Sequence, residues 1–430
     1  MKITFFNFQK TLLNIGVSKV KKFAVAVSGG ADSICLTFLL NEFCKANNVD
    51  LIAITVDHKL RKESTEEAKS ISKYMKKLGI KHIVLTWEHP DIKSNIQGKA
   101  RKARYKILCD YCIEKDIKHL FVGHNYDDQA ETVMLRILRG SGINGIAGIE
   151  ACSKMYGTMI IRPLLNFKKS EILAFVKAKG LVWIEDKSNA DAKFDRVKVR
   201  QLLQQFDNRL PKRLNLLAEN ANRAKNFLNS YTDKIFKKHC LPGNLGYISI
   251  KYSDFFALDE EIKLRIINKI IKYIHNDPFI YPIRLNSLIS LLKKLQYQSK
   301  FTLGKCKIIV HKGTIYFYKE PKFIEPAKKL LKGDNIWDKR YKININADGF
   351  YVTKLTKEIW SKIKPKEYVH QVPSEIIFST PVILSASKDY YWTFLLGHFL
   401  PTTQDKLNIK IDIIKFHQLK IDKSFAMTEM

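Results

Sequence analysis

Over roughly the first 190 residues, short apolar runs alternate with longer stretches whose apolar positions recur every three or four residues. The runs at 23–27, 51–56, 82–86, 119–122 and 159–161 read as buried strands, being short and mostly rich in Val, Ile and Phe. The stretches 33–45, 64–78, 96–115, 127–138 and 169–179 read as helices. Strands separated by helices predict an α/β fold with a doubly wound parallel sheet. In such a sheet ligands collect at the carboxyl ends of the strands. Residues 28–33, the pair Asp57-His58, and Gly123-His124-Asn125 fall at three such ends.

Beyond residue 196 the pattern changes. As far as 276 it is helical and basic, and 193–240 holds 12 Lys/Arg against 4 Asp/Glu. That face reads either as a track for an RNA backbone or as a solvated helix surface. A hairpin is expected from 305–310 and 314–318 around Lys312-Gly313. Residues 319–334, with Pro321, Pro326 and a lysine-rich run ending at Gly333, read as a linker. Residues 336–414 suggest a small α/β or β-rich domain, and the last dozen residues read as loosely ordered. The expected division is a catalytic α/β domain at 1–195, a mostly helical basic domain at 196–320, and a small C-terminal domain at 335–430.

Composition narrows the setting. The 74 Lys/Arg against 42 Asp/Glu give a net charge of +32, which points to a polyanionic partner. Abundant Lys, Ile and Asn also fit a compositional bias toward lysine. Seven cysteines in 430 residues do not make a disulfide scaffold, so a reducing, cytoplasmic setting is expected. No apolar run reaches the ~18–20 residues of a membrane helix, and no secretion signal is evident, so no membrane partner is expected.

The strongest local signal is Ser28-Gly29-Gly30-Ala31-Asp32-Ser33, directly after the first apolar run. Glycines let backbone N–H groups approach a ligand, and a helix N-terminus favours an anion. No lysine follows in Walker spacing, which suits a pyrophosphate held by amides and hydroxyls. Asp32 is a candidate magnesium ligand. Asp57 and His58 are candidates to contact nucleotide or metal. In the block 123–132, a helix near Tyr126 places Asp128 and Glu131 on one face. Such a pair either holds an ammonium group or caps the helix. The match to G-x-G-x-x-G at 140–145 follows a helix rather than a strand, so a mobile loop over the site is the better reading. Cys109 and Cys112 read as packed core. They are also the sole feature favouring sulfur chemistry.

These residues together resemble the tRNA(Ile)-lysidine synthase family, within the PP-loop (N-type ATP pyrophosphatase) group. The likeness is carried by the 28–33 loop, Val56-Asp57-His58 with Leu60-Arg61, Gln97, Ala100-Arg101 and Arg104-Tyr105. It continues through 124–132, Arg139-Gly140-Ser141-Gly142, Arg162-Pro163-Leu164, Asp186 with Ser188-Asn189, and Arg196 with Arg200. It is dense over 23–200 and looser beyond. Glu185 and Lys187 depart from the family's Asp-Pro-Ser-Asn turn.

The resemblance implies a Rossmann-like PP-loop ATPase domain that uses ATP and Mg2+. ATP would be bound by Ser28, Gly29, Gly30, Ala31, Asp32, Ser33, Asp57 and His58, with magnesium at Asp32. His124, Asp128, Glu131 and Arg139 would serve the chemistry and bind L-lysine. Arg101, Arg104, Arg196 and Arg200 would contact tRNA(Ile) bearing a CAU anticodon. The resemblance also suggests a homodimer. The implied reaction adenylates the wobble cytidine and then ligates lysine to it; a PP-loop tRNA thiolase is the alternative. Lysine's ε-amine has a reference pKa of about 10.4, so its neutral form costs roughly 4–5 kcal/mol at pH 7. Asp128 or Glu131 would then hold the α-amino group or accept the ε-proton.

Overall fold

The computed structural model describes residues 2–17, 20–59, 63–89, 96–185, 195–206, 209–276, 283–364, 372–386, 391–393, 399–400 and 409–413. These form two compact units that divide between residues 226 and 227.

The first unit opens with α1 (Phe5–Ile15), capped by the Thr4 hydroxyl and ended by Gly16 at φ 78°. Then strands and helices alternate: β1 (Lys22–Ala26), α2 (Ala31–Asn47), β2 (Asp50–Asp57), α3 (Ser64–Lys77), β3 (Lys81–Thr86), α4 (Ile96–Glu114), β4 (His119–Phe121) and α5 (Tyr126–Leu138). There follow α6 (Ile143–Ile146), β5 (Cys152–Met155), β6 (Thr158–Ile161), α7 (Lys169–Ala178) and α8 (Asp195–Gln205). α9 (Arg209–His239) begins in this unit and runs into the next.

The strand order is β3-β2-β1-β4-β6-β5. The first five strands run parallel, as expected. β5 is an antiparallel edge strand that the short run 152–155 did not announce. Alternation along β1 explains the two-faced burial: Phe23, Val25 and Val27 enter one core with α1, α2 and α7, while Ala24 faces the other with α4. The chain leaves β1 toward β2 and later returns on its other side as β4. The switch point therefore lies between β1 and β4, and the loops leaving these two strands flank it. α8 and the start of α9 pack on α5 through Val199, Leu203, Leu214 and Ala218 against Ala130 and Val133.

In the second unit, β7 (Leu241–Pro242) and β8 (Ile248–Lys251) interrupt the expected helical stretch. α10 (Tyr252–Phe256), α11 (Glu260–His275) and α12 (Leu285–Lys294) precede β9 (Lys300–Leu303), β10 (Cys306–His311) and β11 (Thr314–Lys319). β10 and β11 form the expected hairpin, with Lys312 and Gly313 at φ 45° and 68°. The sheet β7-β8-β11-β10-β9 shares a core with the isoleucine face of α11.

The expected linker at 319–334 is instead part of the fold. It contains β12 (Lys328–Leu330) and the start of β13 (Gly333–Trp337). Fully buried Asp338 gathers the Lys319 ammonium, the Glu325 N–H at 3.1 Å and the Arg340 guanidinium at 2.6 Å. The exposed lysines that read as linker are the outer face of an edge strand, with Leu330 buried between chain and core. β14 (Tyr341–Ile345), β15 (Phe350–Lys354), α13 (Lys357–Ile363), β16 (Pro381–Ser385), β17 (Tyr391–Thr393), β18 (Phe399–Leu400) and β19 (Ile409–Ile413) complete a β-rich end in two sheets. The last dozen residues lie outside the described residues. Among the described residues no helix is long and apolar enough to cross a membrane.

His275 makes the second unit acid-sensitive. It is 6% exposed, and its Nε2 lies 3.0 Å from the Gly304 carbonyl. Burial, with the Lys319 and Arg340 cations nearby, pushes its pKa from 6.5 down to about 4. Between these values the unfolded chain binds a proton that the folded chain does not, so stability is full above about pH 6.5 and falls as pH drops toward 4. The expected loss is about 2–3 kcal/mol. His275→Gln should flatten that dependence, as read from urea midpoints at pH 7 and pH 4.5.

Candidate active site

The phosphate loop is shaped by its glycines. Gly29 sits at φ +84°, and a Cβ there would meet Ile71 at 2.9 Å. Gly30 is the N-cap of α2 and offers no capping side chain, which leaves first-turn N–H groups directed at the loop. The Ser33 hydroxyl donates to the Gly30 carbonyl at 2.9 Å and lies 3.3 Å from the Ser28 hydroxyl. Ala31 is buried in the first turn. Gly123 is required for a different reason: a Cβ would stand 3.1 Å from the α2 backbone at Asp32 and Ser33. β4 thus exits against the first turn of α2.

Asp32 projects from that first turn. Its Oδ1 accepts from the Asn125 amide at 3.0 Å and its Oδ2 from Lys169 Nζ at 2.6 Å. Asn125 also caps α5: its Oδ1 accepts from the N–H groups of Asp127 and Asp128, and its own N–H donates to Asp128 Oδ2 at 3.0 Å. Asn125 therefore touches both the phosphate loop and the acidic helix. Lys169 does the same, since its N–H donates to Asp127 Oδ2 at 2.7 Å.

The acidic pair has partners already. Asp128 Oδ1 accepts from Arg196 Nη2 at 3.2 Å. Buried Glu131 accepts from Arg196 Nε at 3.0 Å and from Arg200 Nε at 2.7 Å. Asp128 completes the capping box of α5, as the capping reading expects, and its other oxygen is taken by the Arg196 guanidinium. Arg196 and Arg200, expected on the RNA side, close over the carboxylates expected on the lysine side. Burial raises the pKa of Asp128, and Arg196 and the Asn125 N–H offset this only in part.

His124 stands among arginines. Its Nε2 lies 3.3 Å from Arg101 Nη2 and so accepts, which leaves the proton on Nδ1, a buried atom without a partner among the described residues. Burial, then the charges of Arg101, Arg162, Arg104 and Arg196, hold its pKa well below the usual imidazole value. Arg101 and Arg104 both lie over the Tyr105 ring, at 5.3 and 5.5 Å. A cleft of about 460 Å³ opens beside them, lined by Arg101, Arg136, Arg139, Arg162, Arg196 and Glu150. Glu150 is taken by Lys225. The cleft therefore presents guanidinium groups to an anion.

Asp57 is 4% exposed and spends its oxygens on the Lys59 N–H at 3.0 Å and the Ser64 and Thr65 hydroxyls, each at 2.7 Å. Burial alone would raise its pKa, but these bonds together hold it below the usual range. It fastens the end of β2 to α3. His58 keeps a buried Nδ1 without a partner among the described residues, and burial, then Arg104, pushes its pKa down to about 4. Arg139 sits at the rim, exposed and paired with Asp195 at 2.9 Å. Leu60, Arg61, Asp186, Lys187, Ser188 and Asn189 lie outside the described residues, as does the side chain of Gln97. The G-x-G-x-x-G match follows a helix, α5, as expected, but its second half is helix α6 rather than loop.

Cys109 and Cys112 are fully buried under the sheet with Leu108 and Ile160. Burial pushes their thiols up to about 11 and about 12, far from the reactive thiolate. Replacing both by alanine is expected to leave turnover within about two-fold and to cost about 1–2 kcal/mol through lost packing. Steady-state rates and a thermal melt of the double variant check both.

A PP-loop domain family matches residues 4–206. A tRNA(Ile)-lysidine synthase of Wolbachia pipientis wMel is 40% identical over 85% of this chain and 86% of its own length. That of the Wolbachia of Brugia malayi is 36% identical over 92% of both chains, and that of Ruegeria pomeroyi 32% identical over 75% of this chain and 76% of its own. Among solved structures, a U34-tRNA thiolase from Methanococcus maripaludis is similar at 23% identity and a TM-score of 0.46, over 51% of this chain and 77% of that chain. Matched along most of its length by relatives at these identities, the chain belongs to the tRNA(Ile)-lysidine synthase family.

Proposed function

We propose that this protein joins free L-lysine to C2 of the wobble cytidine in the CAU anticodon of tRNA(Ile), consuming ATP and releasing pyrophosphate and AMP. The observation that carries the reading is the bridge made by Asn125. Its side-chain amide donates to Asp32 beside the phosphate loop, and its Oδ1 caps the helix of Asp128 and Glu131. A loop suited to pyrophosphate and the acidic pair Asp128 and Glu131 therefore adjoin.

In the first step the cytosine 2-oxygen bonds to the α-phosphorus and pyrophosphate leaves with the electron pair of the broken P–O bond. The first-turn N–H groups of α2 and the hydroxyls of Ser28 and Ser33 would hold that pyrophosphate. A magnesium ion, when bound with ATP, would neutralise phosphate charge, and Asp32, whose oxygens accept from Asn125 and Lys169 in the structure, would be the carboxylate to hold it. In the second step the ε-amine of lysine loses a proton and attacks C2, and the C–O bond to AMP breaks. Asp128 is the better proton acceptor, because burial raises its pKa toward that of the amine. Glu131 anchors an ammonium. A free lysine also carries a carboxylate, and Arg196 and Arg200 provide its counter-charge. The arginine cleft suits the phosphates of the anticodon loop.

The test incubates the full chain with ATP, labelled lysine and tRNA(Ile) bearing CAU, beside the methionine tRNA with the same anticodon. Label is expected in the isoleucine tRNA alone, with pyrophosphate released only when tRNA is present. Label in neither defeats the reaction; label in both defeats the stated specificity.

A further inference from the structure

α9 carries a surface that the chemistry above leaves unused. Phe227 is 68% exposed and Tyr231 40% exposed. Four residues apart on a helix, they share a face. Their rings stack with centroids 6.2 Å apart and planes within 7° of each other. Lys234 and Lys238 continue the same stripe one and two turns on, both exposed and without an ion-pair partner among the described residues. Ser230 is the other residue on the stripe, and no acid falls on it. The neighbouring acid, Asp233, is held by Lys269.

Two parallel rings left in water, flanked by unpaired cations, are the composition of a surface that stacks bases and tracks a phosphate backbone. A protein partner fits less well. Lysines are depleted from the buried centres of protein interfaces, and covering this stripe would desolvate two of them. The rings and the charges call for one ligand that is aromatic and anionic at once.

We infer that Phe227 and Tyr231 form a stacking platform for an unpaired base of the tRNA, with Lys234 and Lys238 neutralising phosphates beside it. This rests on the reading of the protein as an enzyme acting on tRNA. It adds an RNA contact made by residues other than those of the arginine cleft.

The experiment measures binding of a fluorescently labelled tRNA(Ile) transcript to the full chain by anisotropy across a salt series. The Phe227→Ala, Tyr231→Ala double variant is expected to bind about ten-fold more weakly or worse, with an unchanged thermal melt. Phe227→Leu with Tyr231→Leu should lose as much, because bulk without a ring does not stack. Phe227→Tyr with Tyr231→Phe should bind as the wild type does. Lys234→Gln with Lys238→Gln should lower the slope of log K against log salt by about 1–2. Unchanged affinity in the alanine variant overturns the platform, as does full binding by the leucine variant. A shift in sedimentation of the alanine variant with RNA affinity intact also overturns it and makes the face a protein contact. If the variants lose RNA binding but the wild type incorporates no lysine, the platform stands and the lysidine reading falls. If lysine is incorporated and the variants bind normally, only the platform falls.

Discussion

Asp32→Asn is expected to slow tRNA-dependent pyrophosphate release by about 100-fold or more while leaving the protein folded. The carboxylate joins three elements: it stands on α2, takes the Asn125 amide from the exit of β4, and takes the Lys169 ammonium from the start of α7. Its contribution to stability is small, because the Lys169 side chain is 39% exposed and the pair is screened by water. Its contribution to the phosphate site is large. Without the charge, Lys169 faces the positive end of α2 with no counter-ion, and the hard oxygen donor is gone. Lys169→Met makes the complementary change. The loop has no Walker lysine, and Lys169 is one ion pair away from it. Its loss should raise the KM for ATP about ten-fold, with a smaller effect on kcat, if it serves bound phosphate in the ground state. A coupled pyrophosphate assay over a range of ATP separates the two. Wild-type rates in both variants would remove this network from the reaction.

How far the chain announced this site depended on distance along it. The phosphate loop was legible because all of its parts are local: an apolar run, two glycines and a helix start within a dozen residues. The parallel order followed from the alternation of strands and helices. Asn125 was legible as part of a strand exit, though not as the cap of α5 or as a contact to Asp32, 93 residues away. Lys169 was not legible at all. It lies 137 residues from Asp32, and a lysine opening a helix has no periodic signature. Gly123 looked like part of a strand exit. Its necessity comes from the α2 backbone packed against it rather than from its own conformation. Arg196 and Arg200 looked like the start of a basic track, and only the packing of α8 on α5 turns them onto Glu131. The linker reading at 319–334 failed for the same reason. Lysines and prolines report the solvent side of a segment, whereas buried Asp338 pins its other side.

Glu131→Gln should separate the two chemical steps. The side chain is almost fully buried and accepts from Arg196 Nε at 3.0 Å and Arg200 Nε at 2.7 Å. Asp128 and Glu131 together balance the two guanidinium groups, so an entering lysine must draw a carboxylate oxygen away from an arginine. The amide keeps the shape and loses the charge. It leaves Arg196 and Arg200 sharing Asp128, and an ammonium group then meets a net positive pocket. Adenylation does not use this charge, so pyrophosphate release on tRNA should stay within a few-fold of wild type. Lysine transfer should fall about 100-fold with a raised KM for lysine, and adenylated tRNA should accumulate. Stability should drop by about 2 kcal/mol, the scale of charge-assisted hydrogen bonds lost from a buried acceptor, reduced because both arginines are 40% exposed. Asp128→Asn should behave differently. As the proposed base it must be deprotonated, so the wild-type transfer rate should fall as pH drops through its raised pKa, and the variant should lose that acidic limb along with most of the rate. Single-turnover transfer from pre-adenylated tRNA, measured across pH and lysine concentration, reads both variants. If neither moves the lysine KM nor the pH profile, the carboxylates serve only to hold α8 on α5, and the amine must be bound elsewhere.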